Sequence, residues 1–207
     1  MASMVTRKYQ QRLRAESAEQ TRRRILDAVF ERLRTAPSER ISVDQIARLA
    51  GVARSTVYLI FGSRTGLFDA VGADLLQRGG FDRIVEAAAH PDAREHLREG
   101  MRAGFATYAA LRDIARALYS MSALDPDAVA GAIQRLEGDR AGGMAYLANK
   151  LAEQDVLRAD VTADEAADLL WVLTSFDAFD LLYTGRGLPA TEVADVLITA
   201  AERALCR

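Results

Sequence analysis

The sequence is poor in the residues that carry metal, redox and catalytic chemistry. It has one cysteine, Cys206, two histidines and four prolines in 207 residues. A single cysteine cannot close an internal disulfide, so nothing points to an oxidising compartment. His90 and His96 are six positions apart, off a shared helical face, and with one distant thiol they form no zinc-ligand spacing. No metal and no cofactor is expected. No Ser/His/Asp set with a nucleophile signature and no phosphate-cradling glycine loop occurs, so catalysis is not expected either. The apolar runs fall far short of the roughly 20 residues that cross a bilayer. The charged stretch from Met1 to Arg24 lacks the apolar core of a secretory signal. A cytoplasmic protein with no membrane partner is the expectation.

What is present is apolar residues and an uneven distribution of charge. Half of the residues are hydrophobic, enough for a substantial core, and the formal net charge is −2. That small number conceals a split. Residues 1–66 hold 13 Lys/Arg against 6 Asp/Glu, while the remainder holds 14 against 23. A basic head on an acidic body suits a phosphate-binding module attached to a domain that does not bind phosphate. Arginine outnumbers lysine 25 to 2 and alanine is abundant, a composition typical of a GC-rich bacterial gene.

Almost every segment after Ala18 reads as helix. Ile25, Leu26, Val29, Phe30 and Leu33 line one face of an amphipathic helix that cannot continue past Pro37. Ser42-Val-Asp-Gln45 has the form of a capping box, and the helix it starts should stop at Gly51. A short helix follows from about Arg54 to Phe61, then one from Ser63 to the Gly79-Gly80 pair. Pro91 and Asp92 open a helix, and Arg112 to Ala123 is another. Asp125-Pro126 is an N-cap with proline at the first helical position, leading to about Glu153, with a kink or close helix contact expected at Gly142-Gly143. Thr162-Ala-Asp-Glu165 is a second capping box, for a helix reaching Tyr183. Val193, Val196, Leu197, Ala200, Ala201 and Ala204 define the last. The fold class is all-α, with about nine helices.

The segment from Val43 to Arg64 concentrates the chemistry. Two helices packed at a steep angle need a small residue where they cross and a turn residue that accepts positive φ; Ala47 and Gly51 supply these. Ile46, Ala50, Val52, Val57 and Ile60 then face inward. Arg54, Ser55, Thr56, Tyr58 and Leu59 are left facing outward, among them a cation, two hydroxyls and a phenol able to meet phosphates or base edges. An ordinary αα-hairpin would account for the turn, but it has no need of that outward set.

The stretch Ile41–Phe68, with its glycine turn, its Arg/Ser-x-x-Tyr helix and its aromatic-x-Ser-basic sequel, resembles the DNA-binding domain of the tetracycline-repressor (TetR) family of bacterial regulators. Arg24–Phe30 resembles that family's first helix, and the close likeness covers about residues 20 to 70. Residues 1–19 precede that family's first helix and are expected to form a basic, disordered arm. The resemblance implies an N-terminal three-helix DNA-binding domain with helix-turn-helix over 20–66, and a C-terminal helical bundle for ligand binding and dimerisation over 67–207. It implies that Ser42, Tyr58 and Arg64 position the protein on phosphates, and that Arg54, Ser55 and Thr56 read bases, Arg54 toward guanine. Two positions depart from the family pattern. Ile60 stands at its usual histidine and Arg64 at its usual lysine, which leaves DNA binding intact but makes the operator hard to infer. Basic residues of the arm (Arg7, Lys8, Arg12 and Arg14) could follow phosphates or enter a minor groove.

For the remainder the resemblance implies an unidentified small-molecule effector, a homodimer and release of a repressor from its operator. Beyond residue 70 only the helical architecture and Asp168–Thr174 look familiar. The helix over about 163–183 is apolar nearly all round and must be covered on both sides. Paired with the helix over 191–205 and their two copies in a second chain, it would form a four-helix interface. Two readers about 34–36 Å apart would fit a near-palindromic operator in double-stranded DNA. Candidate ligand-lining residues are Met101, Phe105, Tyr108, Tyr119, Met121, Met144, Tyr146 and Trp171. Asp177 and Asp180, two acids three apart in an apolar helix, could receive a cation beside aromatic rings, face solvent or meet a partner arginine. The alternative is an all-helical small-molecule-binding protein or enzyme whose hairpin only resembles a DNA reader.

Overall fold

A computed structural model describes residues 2–37 and 39–207, with side chains described from Ala15 onward. Among these residues there are eleven helices: α1 (Ala2–Thr35), α2 (Val43–Ala50), α3 (Arg54–Phe61), α4 (Arg64–Gly79), α5 (Phe81–Ala88), α6 (Ala93–Ala110), α7 (Arg112–Leu124), α8 (Pro126–Glu153), α9 (Ala163–Leu173), α10 (Phe176–Tyr183) and α11 (Ala190–Leu205). The chain divides into two compact units. One is Met1–Gly72 with Arg116–Ala132; the other is Ala73–Ala115 with Ile133–Arg207.

The first unit packs α1 on α2 and α2 on α3. The periodic set Ile25, Leu26, Val29, Phe30 and Leu33 is buried as the spacing predicts, together with Ile41, Ile46, Ala47, Val57, Leu67 and Phe68. The backbone of Ala2 onward continues α1 without interruption, where a disordered arm is expected over 1–19. No proline or glycine occurs between Ala2 and Thr35, so nothing in the sequence stops the helix. The side chains of Arg7, Lys8, Arg12 and Arg14 lie outside the described residues. The first unit also extends past the expected boundary at 66 and includes residues 116–132. Polar contacts make the link: Arg64 donates to Asp125, Thr65 Oγ1 to the Asp127 carbonyl at 3.3 Å, and Arg40 to the Leu124 carbonyl at 3.2 Å.

The second unit is built on α6, which packs against α5, α10 and α11. Its core joins Leu97, Met101 and Phe105 of α6 to Leu147 and Leu151 of α8, Leu170 of α9, Phe179 of α10 and Leu197 of α11. The rings of Phe105, Phe179 and Tyr183 stack in sequence, with centroids 5.8 and 4.9 Å apart.

Two features raise the helix count above nine. The segment after Gly79-Gly80 forms α5, entered through Gly80 at φ 90°, where a glycine pair reads as a helix end followed by loop. The helix expected over 163–183 is broken into α9 and α10 at Thr174-Ser175. There the Thr174 hydroxyl donates to the Leu170 carbonyl at 2.7 Å, while Ser175 Oγ accepts from the Ala178 N–H at 3.1 Å and caps α10. Local hydroxyl bonding of this kind competes with the helix ladder. Arg140 of α8 also donates to the Trp171 carbonyl and to Thr174 Oγ1, satisfying the end of α9. At Gly142-Gly143, where a kink or a close helix contact is expected, α8 stays helical and a Cβ at either glycine would meet nothing within 4 Å, so no close contact forms among the described residues.

Candidate nucleic-acid interface

The reader hairpin is fixed at three points. Ser42 is the N-cap of α2, its side chain accepting from the Gln45 N–H at 3.2 Å while the Ser42 N–H donates to Gln45 Oε1 at 3.0 Å. The hydroxyl proton of an exposed Ser42 is not used in that box, so it can still be donated to a phosphate, beside the unpaired N–H groups of the first turn. Gly51 ends α2 at φ 64°, and the Val52 N–H reaches back to the Ala47 carbonyl at 2.9 Å. This closure requires a left-handed residue, which glycine adopts without a steric penalty. Ala47 is buried at the crossing, where its small side chain lets α3 approach.

Helix α3 buries Val57 and Phe61, half-buries Thr56 and Ile60, and turns its remaining residues outward. Arg54, Ser55 and Tyr58 are exposed and Thr56 is half-buried. Arg54 is organised rather than loose. Its Nη1 donates to Asp44 Oδ2 at 3.1 Å, its Nη2 lies 3.4 Å from the Tyr58 hydroxyl, and its guanidinium sits 5.5 Å from the Tyr58 ring centre. Bonding to Tyr58, then attraction to Asp44, raises its pKa further above the already high value of arginine. The fork is thus pre-oriented on the edge of the exposed face, held by partners that water also reaches.

Arg64 is placed differently from the other five. Its Nη2 donates to the Ile41 carbonyl at 2.7 Å and to Asp125 Oδ2 at 2.6 Å, and its guanidinium lies 5.7 Å from the Phe68 ring centre. The Asp125 carboxylate is buried, and the Arg64 guanidinium bonded to it holds its pKa below the usual carboxylate value. Asp125 was expected to cap α8 with its side chain. Only its backbone carbonyl serves α8, accepting from the Ala128 and Val129 N–H groups, because the carboxylate faces Arg64.

The ligand candidates do not form one constellation. Met101 and Phe105 are buried, and half-buried Tyr108 and Met144 pack against the same core. Tyr108 meets the Phe176 ring edge-on at 5.4 Å. Tyr146, Trp171 and Asp177 are exposed, whereas half-buried Tyr119 and buried Met121 belong to the first unit. Asp180 is buried and meets an arginine: Arg112 Nε and Nη2 reach its two oxygens at 2.7 and 3.1 Å, and the Thr184 hydroxyl donates at 2.6 Å. Separately, an open groove of about 720 Å³ runs between α5, α6 and α11, with Ala87, Ala103, Ala106 and Ala194 beneath Arg83, Glu86, Arg102 and Asp195. None of the nine candidates lines it. Alanines on three different helices carry no sequence signal for a groove. His96, which shares no metal-ligand spacing with His90 or the distant thiol, is 6% exposed, and its Nδ1 has no hydrogen-bond partner among the described residues. Burial, then Lys150 and His90, lower its pKa to about 4.

Residues 25–71 match the family model of the bacterial regulatory proteins, tetR family. No curated protein matches the chain. Solved structures do. A TetR-like transcriptional regulator from Rhodococcus sp. RHA1 is 26% identical, with 88% of this chain and 94% of that chain covered and a TM-score of 0.60. NalD, the secondary repressor of the MexAB-OprM multidrug efflux pump in Pseudomonas aeruginosa, is 23% identical over 93% of this chain and 98% of its own, with a TM-score of 0.71. A transcriptional regulator from Saccharomonospora viridis in complex with choline is 22% identical over 90% and 97%, with a TM-score of 0.65. The matched segment contains the capped helix-turn-helix, and the chain shares the fold of such regulators over most of its length.

Proposed function

We propose that this DNA-binding transcriptional regulator is a homodimeric repressor of a near-palindromic operator, released by a small organic effector. The observation that carries the reading is the outward face of α3: Arg54, Ser55 and Tyr58 are exposed on a short helix whose opposite face is locked into the first unit's core. Ser42 and Tyr58 are assigned to phosphates, and Arg54, Ser55 and Thr56 to base edges. Arg64 is assigned first to holding the start of α4, since its Nη2 is bonded within the first unit; any phosphate contact falls to the rest of its fork.

Dimerisation through α9, α10 and α11 is supported by Trp171, Val172, Leu181 and Val196, large apolar side chains exposed on those helices. For the effector, the Saccharomonospora viridis regulator's choline complex is a precedent for a small ligand. Met101, Phe105, Tyr108 and Met144 are proposed as the apolar wall of the site, which requires the core to open. Asp177, exposed on α10, is the carboxylate proposed to meet a cationic effector. The repressor role has its precedent in NalD.

The test is selection of bound duplexes from a random pool by the full chain. Enrichment of two inverted half-sites about one helical turn apart, 10–10.5 base pairs centre to centre or a multiple of that, is expected. A folded protein that enriches no sequence would contradict the reading.

A further inference from the structure

Leu59 is the most exposed large apolar side chain described in the chain, at 85%. It sits on the helix that should meet DNA. A lone exposed leucine is ordinary on a protein surface, but its position here is not arbitrary. Each residue of a helix turns about 100°, so Ser55 lies about 40° to one side of Leu59 and Thr56 about 60° to the other, while Val57 and Phe61 lie about 160° away. Val57 and Phe61 are the residues α3 buries. Leu59 is therefore at the apex of the outward face; Tyr58 lies about 100° and Arg54 about 140° round from it on the Ser55 side, with Arg54 bonded to both Tyr58 and Asp44. A helix that enters a major groove with Val57 and Phe61 against its own domain brings the apex residue nearest the base pairs.

Leucine offers no hydrogen bond, so at the apex it can gain only from an apolar group. On the major-groove edges of the four base pairs that group is the C5 methyl of thymine; the other distinguishing atoms are donors or acceptors. We propose that Leu59 is a specificity-determining residue of the reader and that it selects thymine through this methyl, with Ser55 and Thr56 bonding the polar edges beside it. The inference rests on the reading of α3 as the helix that contacts DNA.

The test uses duplexes selected by the full-length chain from a random pool. Each thymine of the selected half-site is replaced in turn by uracil, which removes the methyl and no hydrogen-bonding group. Dissociation constants are measured at one salt concentration for the parent chain and for Leu59→Ala, whose exposed position leaves the fold unaffected. At one thymine per half-site, uracil should weaken the parent chain's binding about fourfold, the scale of one buried methylene. Leu59→Ala should bind the thymine and uracil forms equally at that position. The assignment is overturned if no uracil weakens the parent chain, or if Leu59→Ala keeps the penalty at every sensitive thymine. Failure of the pool to yield any preferred sequence is a different result, and overturns the reading of α3 itself.

Discussion

Replacing Arg64 by glutamine should destabilise the first unit by about 2–4 kcal/mol. One guanidinium nitrogen makes two charge-assisted bonds there, 2.6 Å to Asp125 Oδ2 and 2.7 Å to the Ile41 carbonyl. Glutamine cannot supply the charge, so a carboxylate that is 9% exposed is left in the protein without its cation. Removing one member of a buried pair costs about 3–5 kcal/mol. The Arg64 side chain is itself 31% exposed, so water already screens the pair, which moves the expectation to the lower end. Arg40, another cation acting on Asp125, supplies partial compensation. Amide hydrogen exchange of α2, α3 and the part of α4 up to Gly72 isolates this unit from the other. The cost should shrink on acidification. Asp125 has a lowered pKa in the folded chain, so its contribution is present above the ordinary carboxylate value and is lost as the pH falls through the folded one. The double variant Arg64→Gln/Asp125→Asn should recover part of the loss, since no buried charge remains. A cost below about 0.5 kcal/mol, the scale of an exposed ion pair, would refute the reasoning.

Other consequences follow from single contacts. Gly51→Ala should cost about 1–2 kcal/mol from backbone strain alone, because φ is 64° and nothing crowds a Cβ there; urea midpoints measure it. Gly79→Ala places a Cβ 2.2 Å from Thr107 Cγ2, next to the 2.8 Å bond from the Thr107 hydroxyl to the Gly79 carbonyl. It should destabilise the second unit by about 1–3 kcal/mol, with Thr107→Ser restoring part in a double-variant cycle. His96 is held neutral, so its share of the second unit's stability is complete above pH about 6.5 and is lost as the pH falls toward about 4. That share amounts to about 3 kcal/mol at most. An NMR titration of the ring should give the low value, and His96→Phe should flatten the pH dependence; a ring titrating near 6.5 would contradict this.

The first unit was legible because its signals are local. Ser42 and Gln45 close a capping box within four residues, and Gly51 alone dictates the turn, so both appear where the sequence places them. What the outward residues do with one another was less legible. The pairing of Arg54 with Asp44 spans ten positions, and that of Arg64 with Asp125 spans 61. Such partners are set by tertiary packing, which periodicity does not encode. The same holds in the second unit. A long apolar run reads as one helix, but hydroxyls at Thr174 and Ser175, helped by an arginine from α8, break it in two. Asp180 looked anomalous in that run until Arg112, 68 residues away, supplied its counter-charge. The groove along α5, α6 and α11 had no signal, since alanine is the commonest filler of any helix.

The central claim is that the outward face of α3 reads base sequence. The most direct measurement compares the parent chain with Arg54→Ala/Ser55→Ala/Thr56→Ala on a selected duplex and on a scrambled one, across a range of salt concentrations. The account predicts that preference for the selected duplex falls by about a hundredfold or more. It also predicts that binding to the scrambled duplex persists, with a salt slope reduced by no more than about one unit. A variant that keeps the parent's preference, or one that loses affinity equally for both duplexes, would contradict it.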